Sequence, residues 1–324
     1  MNKEKQKITV IVPVFNEQEG LLEFHNCLCE TLVCLDYDCE VLYVDDGSTD
    51  SSMSVIRSLN FDSITTSWIC LSRNFGKELA MTAGLDAVDA DAVIVIDADL
   101  QDPPSLISEF VKFWEKGYDV VYGQRQQREG ESLFKKATAS GFYRLISRIS
   151  RTDIPKDTGD FRLLSRSSIV ALKTLRERNR FMKGLFAWVG FKQIAVPYTR
   201  HKRSLGTTKW NYWKLWNFAL DGITAFSTAP LRMASYLGFI VAISSFAFGS
   251  YIIFQTLIHG ADVPGYPSML VIILFLGGIQ LMALGVIGEY LGRLFEESKQ
   301  RPLYLIQETH IRTPESDESI HPQT

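Results

Sequence analysis

Acidic side chains follow an apolar run in a pattern suited to binding a divalent cation. Asp97 and Asp99 come directly after residues 93–96, and Gln101 and Asp102 follow them. A turn in which one Asp caps the next helix is the alternative explanation for such a pair. Negative charge concentrated at the end of a buried strand is costly unless a cation neutralises it. We therefore predict a cation held by Asp97 and Asp99, with Gln101 and Asp102 as further possible ligands.

The other strand ends are also acidic, and glycine-rich phosphate loops are missing. Glu17 follows the first apolar run, and Asp45 and Asp46 follow the second. No G-x-G-x-x-G follows the first run, and G-x-x-x-x-G-K-[ST] occurs nowhere in the sequence. The sequence therefore lacks the main motifs of dinucleotide-binding proteins and of P-loop proteins. Acidic strand ends indicate instead that a phosphate group is held through a divalent cation.

Alternating strand and helix patterns would place these acids at one edge of a sheet. Continuous β-branched runs predict strands at 8–12, 40–44, 68–71, 92–96 and 119–122. Helical spacing is found at 17–33, 51–59, 77–88 and 104–116. This alternation predicts an α/β fold with a mostly parallel sheet and helices on both faces. Ligands of such sheets bind beyond the carboxyl ends of the strands.

The composition excludes several classes of protein. The chain has 324 residues, of which 46% are apolar and 22% charged, and its net charge is −3. An intrinsically disordered chain and a disulfide-stapled mini-protein are excluded by these values. The length allows roughly two domains of about 150 residues each. The near-neutral charge gives no support to nucleic-acid binding, and we expect no nucleic-acid partner.

Two long uncharged runs predict membrane-spanning helices. Residues 233–261 and 263–288 contain no Asp, Glu, Lys or Arg, and each run exceeds the ~20 residues that a helix needs to cross a bilayer. Lys and Arg lie on the outer flanks of the pair, whereas the connecting loop, 259–268, has neither. The positive-inside rule then places both termini in the cytoplasm. We expect a hairpin of spans at about 233–258 and 268–290.

The glycines of the second span suit close helix packing. Gly288 and Gly292 form a G-x-x-x-G step, which lets another helix approach closely. Glycines that are merely tolerated in a membrane helix are the alternative. We infer only that the spans pack on something, and a homo-oligomer is one way to do so.

The N-terminus and the cysteines indicate a reducing compartment. Residues 1–7 are polar and charged, and the run 8–14 is too short for a signal peptide. Four of the five cysteines lie between Cys27 and Cys39, in a stretch that we expect to be helical. Their spacing fits no common zinc pattern, so reduced thiols are favoured over a metal site. We expect the bulk of the chain to be cytoplasmic.

Four motifs, spread along the chain, resemble the motifs of a known enzyme family. They are Pro13-Val14-Phe15-Asn16-Glu17, Val44-Asp45-Asp46-Gly47-Ser48, the stretch from Asp97 to Pro104, and Gly159-Asp160-Phe161-Arg162-Leu163. They resemble family 2 glycosyltransferases, in particular the polyprenyl-phosphate sugar transferases that include dolichol-phosphate mannose synthases. Residues 72–78, 177–190, 209–232 and 265–293 are similar to bacterial bactoprenol (undecaprenyl-phosphate) glucosyltransferases of O-antigen modification clusters. The resemblance covers about residues 8 to 305.

The resemblance implies a GT-A type domain that takes a UDP-sugar, requires Mg²⁺ or Mn²⁺ and inverts the anomeric carbon. Carried over by position, the nucleotide-sugar residues would be Pro13, Phe15, Glu17, Asp46, Lys77 and Lys209. Metal ligands would be Asp97, Asp99 and Gln101, and Arg125 aligns with a basic residue near the phosphates. Asp160 is the implied catalytic base.

A base has little to do if the acceptor is a lipid phosphate. The second pKa of a phosphate monoester is about 6, so the acceptor is largely ionised at neutral pH. Such an acceptor has to be oriented toward the sugar and to have its negative charge neutralised, and it has little need of deprotonation. We therefore expect Asp160 to orient the sugar or the acceptor, with proton abstraction second. Arg125, Arg128 and Arg203 would neutralise the incoming phosphate, although Arg128 and Arg203 fit an exposed basic loop equally well.

Two segments are expected to lie in the membrane interface. Residues 134–151 form a basic amphipathic pattern, for which packing on the soluble core is the alternative. Residues 210–228 begin with clustered tryptophans that are typical of an aromatic belt. We expect three parts: a cytoplasmic catalytic domain (1–230), two transmembrane helices (231–292) and a cytoplasmic tail (293–324) with a disordered end.

The expected activity is glucose transfer from UDP-glucose to undecaprenyl phosphate on the cytoplasmic face of a bacterial inner membrane. The product would serve O-antigen or cell-envelope glycan modification, and a separate flippase would have to move it, since two uncharged spans offer a sugar no polar path. Alternatives are the same reaction with mannose, an N-acetylhexosamine or a modified pentose, or a non-catalytic membrane scaffold. A single sequence does not reveal the few hydroxyl contacts that distinguish hexoses.

Overall fold

The computed structural model describes residues 5–61, 63–126, 158–178, 180–199, 229–259 and 265–311. Both predicted interfacial helices, 134–151 and 210–228, lie outside these residues. So do Arg128, Arg203, Lys209 and the tail from 312 onwards.

Eight strands and eight α-helices make up the described part. The strands are β1 (Lys7–Val14), β2 (Asp38–Asp45), β3 (Thr65–Leu71), β4 (Ala92–Val95), β5 (Val120–Arg125), β6 (Thr158–Ser165), β7 (Gln193–Tyr198) and β8 (Ile306–His310). The helices are α1 (Leu21–Val33), α2 (Ser52–Ser58), α3 (Lys77–Ala87), α4 (Ile107–Glu115), α5 (Arg166–Thr174), α6 (Met182–Trp188), α7 (Ala229–His259) and α8 (Tyr266–Ser298). A short 3₁₀ turn, Pro104–Leu106, precedes α4.

All eight strands join one mixed sheet in the order β7-β5-β6-β4-β1-β2-β3-β8. β1 to β4 pair in parallel, and β5 pairs in parallel with β7. β6 is antiparallel to both β4 and β5, and β8 is antiparallel to β3. Six strands therefore run in one direction, which confirms the predicted mostly parallel α/β fold.

The core lies on both faces of this sheet. Val10 and Val12 pack on one face with Phe24 and Leu28 of α1. Ile11, which alternates with them along β1, packs on the other face with α3. Because successive strand residues point to opposite faces, the continuous apolar run 10–14 of β1 is covered on both sides. With both faces covered, the carboxyl edge of the sheet is where polar side chains can meet a ligand.

The last strand ties the C-terminal helices to the sheet. β8 follows α8 after a short connection and pairs with β3 so that Ile306 lies opposite Leu71. Just beyond it, the Ser72 amide donates to the Leu305 carbonyl at 2.9 Å. Because Leu71 ends β3, the chain that leaves α8 reaches the sheet at its carboxyl edge. The residues that follow α8 therefore join the sheet at the edge where the acidic strand ends lie.

α7 and α8 have the length and composition of membrane spans. Their most apolar segments are Met233–Gln255 and Phe275–Ser298, and neither is buried by protein. Large side chains such as Phe246, Leu257 and Leu281 are among the most exposed of the described residues. Apolar surface of this extent needs an apolar environment, which indicates association with a membrane.

The cysteines do not share one helix. Cys27 and Cys29 lie in α1, and Cys34 follows its end, but Cys39 lies in β2. The expected helical stretch was therefore wrong for Cys39. Burial raises the pKa of the Cys29 thiol to about 12, and such a thiol stays protonated and unreactive.

Candidate active site

The ends of β1 and β2 are joined by side-chain hydrogen bonds. The Asn16 amide donates to Ser48 Oγ at 3.0 Å, and the Thr49 amide donates to Asn16 Oδ1 at 2.8 Å. Asn16 has a φ of 54°, a left-handed conformation that Asn tolerates well. The predicted nucleotide residues Pro13, Phe15 and Glu17 are half-buried here. They stand at the carboxyl edge, where a ligand could reach them.

Asp46 is buried and binds the backbone of a neighbouring segment. Its Oδ1 accepts the Phe75 amide at 2.7 Å and its Oδ2 accepts the Gly76 amide at 2.9 Å. Gly47 has a φ of +66°, and a Cβ there would lie 2.4 Å from the Arg73 carbonyl carbon. Burial raises the pKa of Asp46, although the two amides oppose the rise. Asp46 thus holds in place the residues that lead into α3. This structural role is separate from the predicted contact of Asp46 with a nucleotide.

Lys77, the first residue of α3, joins two acidic side chains that are far apart in sequence. Its Nζ lies 2.6 Å from Asp97 Oδ1 and 2.8 Å from Asp97 Oδ2. The same Nζ lies 2.5 Å from Asp160 Oδ2. Asp97 follows β4 and Asp160 lies in β6, its antiparallel neighbour. The structure therefore brings three of the predicted site residues into one cluster.

The charges of this cluster stabilise one another. Burial by itself would raise the pKa of Asp160, but the Lys77 and Lys183 ammonium groups hold it well below its usual value. Burial would likewise lower the pKa of Lys77, and the two carboxylates raise it instead. Both groups are consequently ionised at neutral pH. A carboxylate with so low a pKa is a weak base.

Asp99 and Gln101 continue the acidic turn after β4. The Gln101 amide donates to Asp99 Oδ1 at 3.1 Å, and Leu100 between them has a φ of 56°. Asp97, Asp99 and Gln101 are all half-buried and therefore reachable from solvent. Among the described residues, no group of three or more His, Cys, Asp or Glu side chains could hold a metal ion by itself. Two carboxylates and an amide fit Mg²⁺ or Mn²⁺ if a substrate supplies further oxygens.

Arg125 is held against Gly159, the neighbour of Asp160 in β6, by a buried network. Its Nε donates to the Tyr198 hydroxyl at 3.2 Å, and its guanidinium lies 3.7 Å from Asp102. The Tyr198 hydroxyl also donates to Asp102. A Cβ at Gly159 would lie 2.7 Å from Arg125 Nη2, so glycine is what allows the guanidinium to approach this strand. Asp102 is therefore a partner of Arg125 and Tyr198.

Comparison with known proteins decides the family. The family model described as Glycosyl transferase family 2 matches residues 9–172, which contain the cluster of Lys77, Asp97 and Asp160. The chain belongs to glycosyl transferase family 2. An uncharacterized glycosyltransferase of Synechocystis sp. is 51% identical over 93% of this chain and 94% of its own length. The SfII prophage-derived bactoprenol glucosyl transferase of Shigella flexneri is 46% identical over 95% of this chain and 100% of its own.

The structure also overlays partly on a solved enzyme. Glucosyl-3-phosphoglycerate synthase from Mycobacterium tuberculosis matches with a TM-score of 0.45 and 18% identity. The match covers 68% of this chain and 78% of that one. An overlap this loose has no bearing on the donor, the metal or the acceptor of this glycosyltransferase.

Two residues of the glycosyltransferase site, buried Arg162 and half-buried Glu78, were not singled out from the sequence. Arg162 donates from Nη2 to the Gly159 carbonyl at 2.8 Å, and its guanidinium lies 3.7 Å from the ring centre of Phe186. Glu78 accepts the Met182 amide at 2.7 Å. Each stands beside a predicted residue, Arg162 in the motif of Asp160 and Glu78 after Lys77. That proximity was the only signal for them in the sequence.

Glu78 should make stability depend on pH. Burial and the nearby Asp160 carboxylate raise the pKa of Glu78 from 4.5 to about 7. In the unfolded chain, Glu78 loses its proton near the ordinary pKa of 4.5. In the folded protein, Glu78 keeps the proton up to about pH 7. Stability is therefore lost as pH rises between these values, by at most about 3 kcal/mol. Because Gln stays neutral, Glu78→Gln should melt several degrees higher than the parent at pH 7.5 and near it at pH 5 (roughly 2–4 °C per kcal/mol).

The measurement is a melting curve of detergent-solubilised protein at both pH values. Glu109→Gln, at an exposed position of α4, is the matched control and should melt like the parent at each pH. An equal shift for Glu78→Gln at pH 5 and pH 7.5 would mean that packing, and not ionisation, accounts for it.

Proposed function

We propose that this glycosyltransferase moves glucose from UDP-glucose to undecaprenyl phosphate at the cytoplasmic surface of a bacterial inner membrane. The products would be glucosyl-phosphoryl-undecaprenol and UDP. Relatives named bactoprenol glucosyl transferase align over almost the whole chain, at 46% identity for the Shigella flexneri protein. A sugar transferase and its lipid acceptor must meet at a membrane, and this chain has an apolar helix pair for that purpose.

One structural observation carries the proposal. The chain leaving α8 joins the sheet where β3 ends, through the pairing of Ile306 with Leu71. Parallel strands end at a common edge, and Asp97 follows β4 at that edge. The chain that leaves the apolar helices therefore reaches the sheet at the edge where Asp97 lies. A lipid-linked acceptor could reach the cluster there without leaving the bilayer.

The donor would bind along the carboxyl edge. Pro13, Phe15 and Glu17 would contact the uridine, with Asp46 beside them, and Lys209 would close over the site as the family resemblance implies. Asp97, Asp99 and Gln101 would hold Mg²⁺ or Mn²⁺ with oxygens of the diphosphate. Such a cation, when bound, neutralises charge that develops on the leaving UDP.

The transfer itself needs little proton chemistry. An oxygen of the ionised acceptor phosphate forms a bond to the anomeric carbon while the bond from that carbon to the UDP oxygen breaks. Attack from the face opposite UDP inverts the configuration. Arg125, Arg128 and Arg203 would compensate the acceptor's charge, and ionised Asp160 would orient the sugar or the acceptor. The proton of a phosphate monoester is already largely lost at neutral pH.

The membrane arrangement is part of the same proposal. α7 and α8 would form a transmembrane hairpin with both termini in the cytoplasm, and the segments 134–151 and 210–228 would lie in the interface. Residues 293–324 would then be cytoplasmic, with β8 returning to the catalytic sheet. A separate flippase would carry the product across the membrane for O-antigen or envelope glycan modification. Packing through Gly288 and Gly292 would allow a homo-oligomer.

The test is release of the nucleoside diphosphate (UDP from UDP-sugars, GDP from GDP-mannose) by purified protein in detergent with Mg²⁺ and undecaprenyl phosphate. UDP-glucose is compared with UDP-galactose, UDP-N-acetylglucosamine and GDP-mannose, each with and without EDTA. We expect turnover with UDP-glucose that requires the lipid and is lost with the chelator. Turnover with another donor would correct the sugar, while no turnover with any donor would favour a non-catalytic scaffold or an untested modified sugar.

A further inference from the structure

Lys77 forms an ion pair with Asp97, whose carboxylate the proposed metal site needs. We infer that Lys77 is an internal counter-cation, which competes with the divalent cation for Asp97 and passes to Asp160 when the cation binds. This inference rests on the proposed function, because it takes Asp97 to be a metal ligand. It adds a role for Lys77 beyond contact with the donor, namely control of how tightly the metal binds before the donor arrives.

Competition follows from the distances. Lys77 Nζ contacts both oxygens of Asp97, at 2.6 and 2.8 Å. Mg²⁺ binds carboxylate oxygen at about 2.0–2.1 Å, so a cation on either oxygen would stand close to the ammonium. Like charges at such separation repel strongly, and more so where water is partly excluded. The Asp97 side chain is only 24% exposed. Lys77 must therefore move away from Asp97 as the metal binds.

Asp160 offers Lys77 a place to move to. Its Oδ2 already lies 2.5 Å from Nζ. Its Oδ1 is buried, and within the described ranges it has no hydrogen-bond partner. A buried hydrogen-bond acceptor without a donor is costly. A shift of the Lys77 ammonium toward Asp160 Oδ1 would supply that donor, and the hydrogen bond gained there would compensate for the ion pair lost at Asp97. Lysine suits this role because its flexible stem carries a compact charge, and the side chain is 40% exposed.

The effect of Lys77 on metal binding should depend on the nucleotide. Without a nucleotide, the ammonium weakens metal binding by holding Asp97. With UDP, the diphosphate brings negative charge that attracts both the metal and the ammonium. Lys77 then ceases to be a competitor and becomes part of the charge that binds UDP. Removing its charge should tighten metal binding only when UDP is absent.

The experiment measures Mn²⁺ binding to purified full-length protein by the electron paramagnetic resonance signal of free Mn²⁺, with and without UDP. Lys77→Gln should bind Mn²⁺ alone about tenfold more tightly than the parent, the size expected for loss of a partly buried ion pair. With UDP present, that gain should disappear. Lys77→Arg, which keeps the charge, should stay within about threefold of the parent in both conditions.

Two further variants separate this effect from a general change of charge. Lys183 also lowers the pKa of Asp160, and within the described part of the chain it has no hydrogen bond or ion pair to Asp97. Lys183→Gln should therefore change the affinity for Mn²⁺ alone much less than Lys77→Gln does. Asp97→Asn should lose Mn²⁺ binding, because it removes the contested carboxylate.

The outcomes distinguish the inference from the function on which it rests. Equal Mn²⁺ affinity of the parent and Lys77→Gln, with binding lost in Asp97→Asn, would overturn the counter-cation role and leave the metal site intact. Equal tightening by Lys77→Gln and Lys183→Gln would also overturn it. No Mn²⁺ binding to any variant, even with UDP, would overturn both the counter-cation role and the proposed metal site.

Discussion

Replacing Asp97 with Asn is expected to lower lipid-dependent sugar transfer by about 10³-fold, the size found when a pre-organised charge interaction is removed from an active site. The variant should fold normally. Asp97 lies at the sheet edge and is half-buried, and Lys77 would still have Asp160 as its partner. The loss would concern the donor. Without the Asp97 carboxylate, the divalent cation that neutralises the diphosphate would no longer be held in place.

Product formation with UDP-glucose and undecaprenyl phosphate measures this effect, and melting temperature checks the fold. Asp89→Asn is the matched control, because Asp89 is highly exposed and precedes β4, whereas Asp97 follows it. That variant should keep the parent's activity. Turnover of Asp97→Asn within tenfold of the parent would contradict the assignment of Asp97 to the metal.

The strands and helices of residues 7–125 could be predicted because local pattern and tertiary environment agree there. Residues 10–14 of β1, residues 41–44 of β2 and all of β4 are apolar, and the structure covers these strands on both faces. α1 and α3 end at or within one residue of the predicted ends. Acidic residues at strand ends indicated the site because the edge of a parallel sheet brings distant strand ends together.

The later strands violate the rules by which strands are recognised. β6 buries Asp160 and Arg162 along with its apolar residues, so its sequence lacks an apolar pattern. β7 contains Pro197, which argues against a central strand but is tolerated at the edge position that β7 occupies. β8 is short and mostly polar, and each of its residues is exposed. Its pairing with β3 depends on the position of α8, which no local pattern encodes.

The side-chain partners at the site could not be predicted for a related reason. Lys77 was placed among the donor-binding residues by resemblance, yet its contacts are with Asp97 and Asp160. Asp46 was expected to hold the uridine, and the structure shows both of its oxygens on backbone amides. These pairings join different strands and loops, so they exist only once the sheet is assembled.

Residues 72–77 link the parts of this protein. The Ser72 amide binds the Leu305 carbonyl, at the point where the chain from α8 reaches the sheet. The Phe75 and Gly76 amides bind Asp46. Lys77 then binds the acidic cluster. Six consecutive residues therefore contact the chain that leaves α8, Asp46 and the acidic cluster.

Replacing Asp160 with Asn is expected to lower transfer on the order of 100-fold, by the same loss of pre-organised charge and orientation. The pH dependence of this defect tells orientation from base catalysis. Because Lys77 and Lys183 keep the pKa of Asp160 low, the parent carboxylate is ionised throughout pH 5.5–8.5. The acceptor phosphate, with a second pKa near 6, changes from mostly protonated to fully ionised over the same range.

If Asp160 removed the acceptor's proton, the variant would be most defective at pH 5.5 and would approach the parent at pH 8.5, where no proton is left to remove. If Asp160 orients ionised groups, the ratio of variant to parent turnover should stay constant within about threefold. We expect the constant ratio. It is measured as initial rates of product formation at saturating UDP-glucose across this range, with melting temperatures taken at each pH. Glu78 also titrates in this interval, so the comparison is repeated with Glu78→Gln in both the parent and the Asp160→Asn variant. A defect that shrinks tenfold or more between pH 5.5 and 8.5 in both backgrounds would make Asp160 a base.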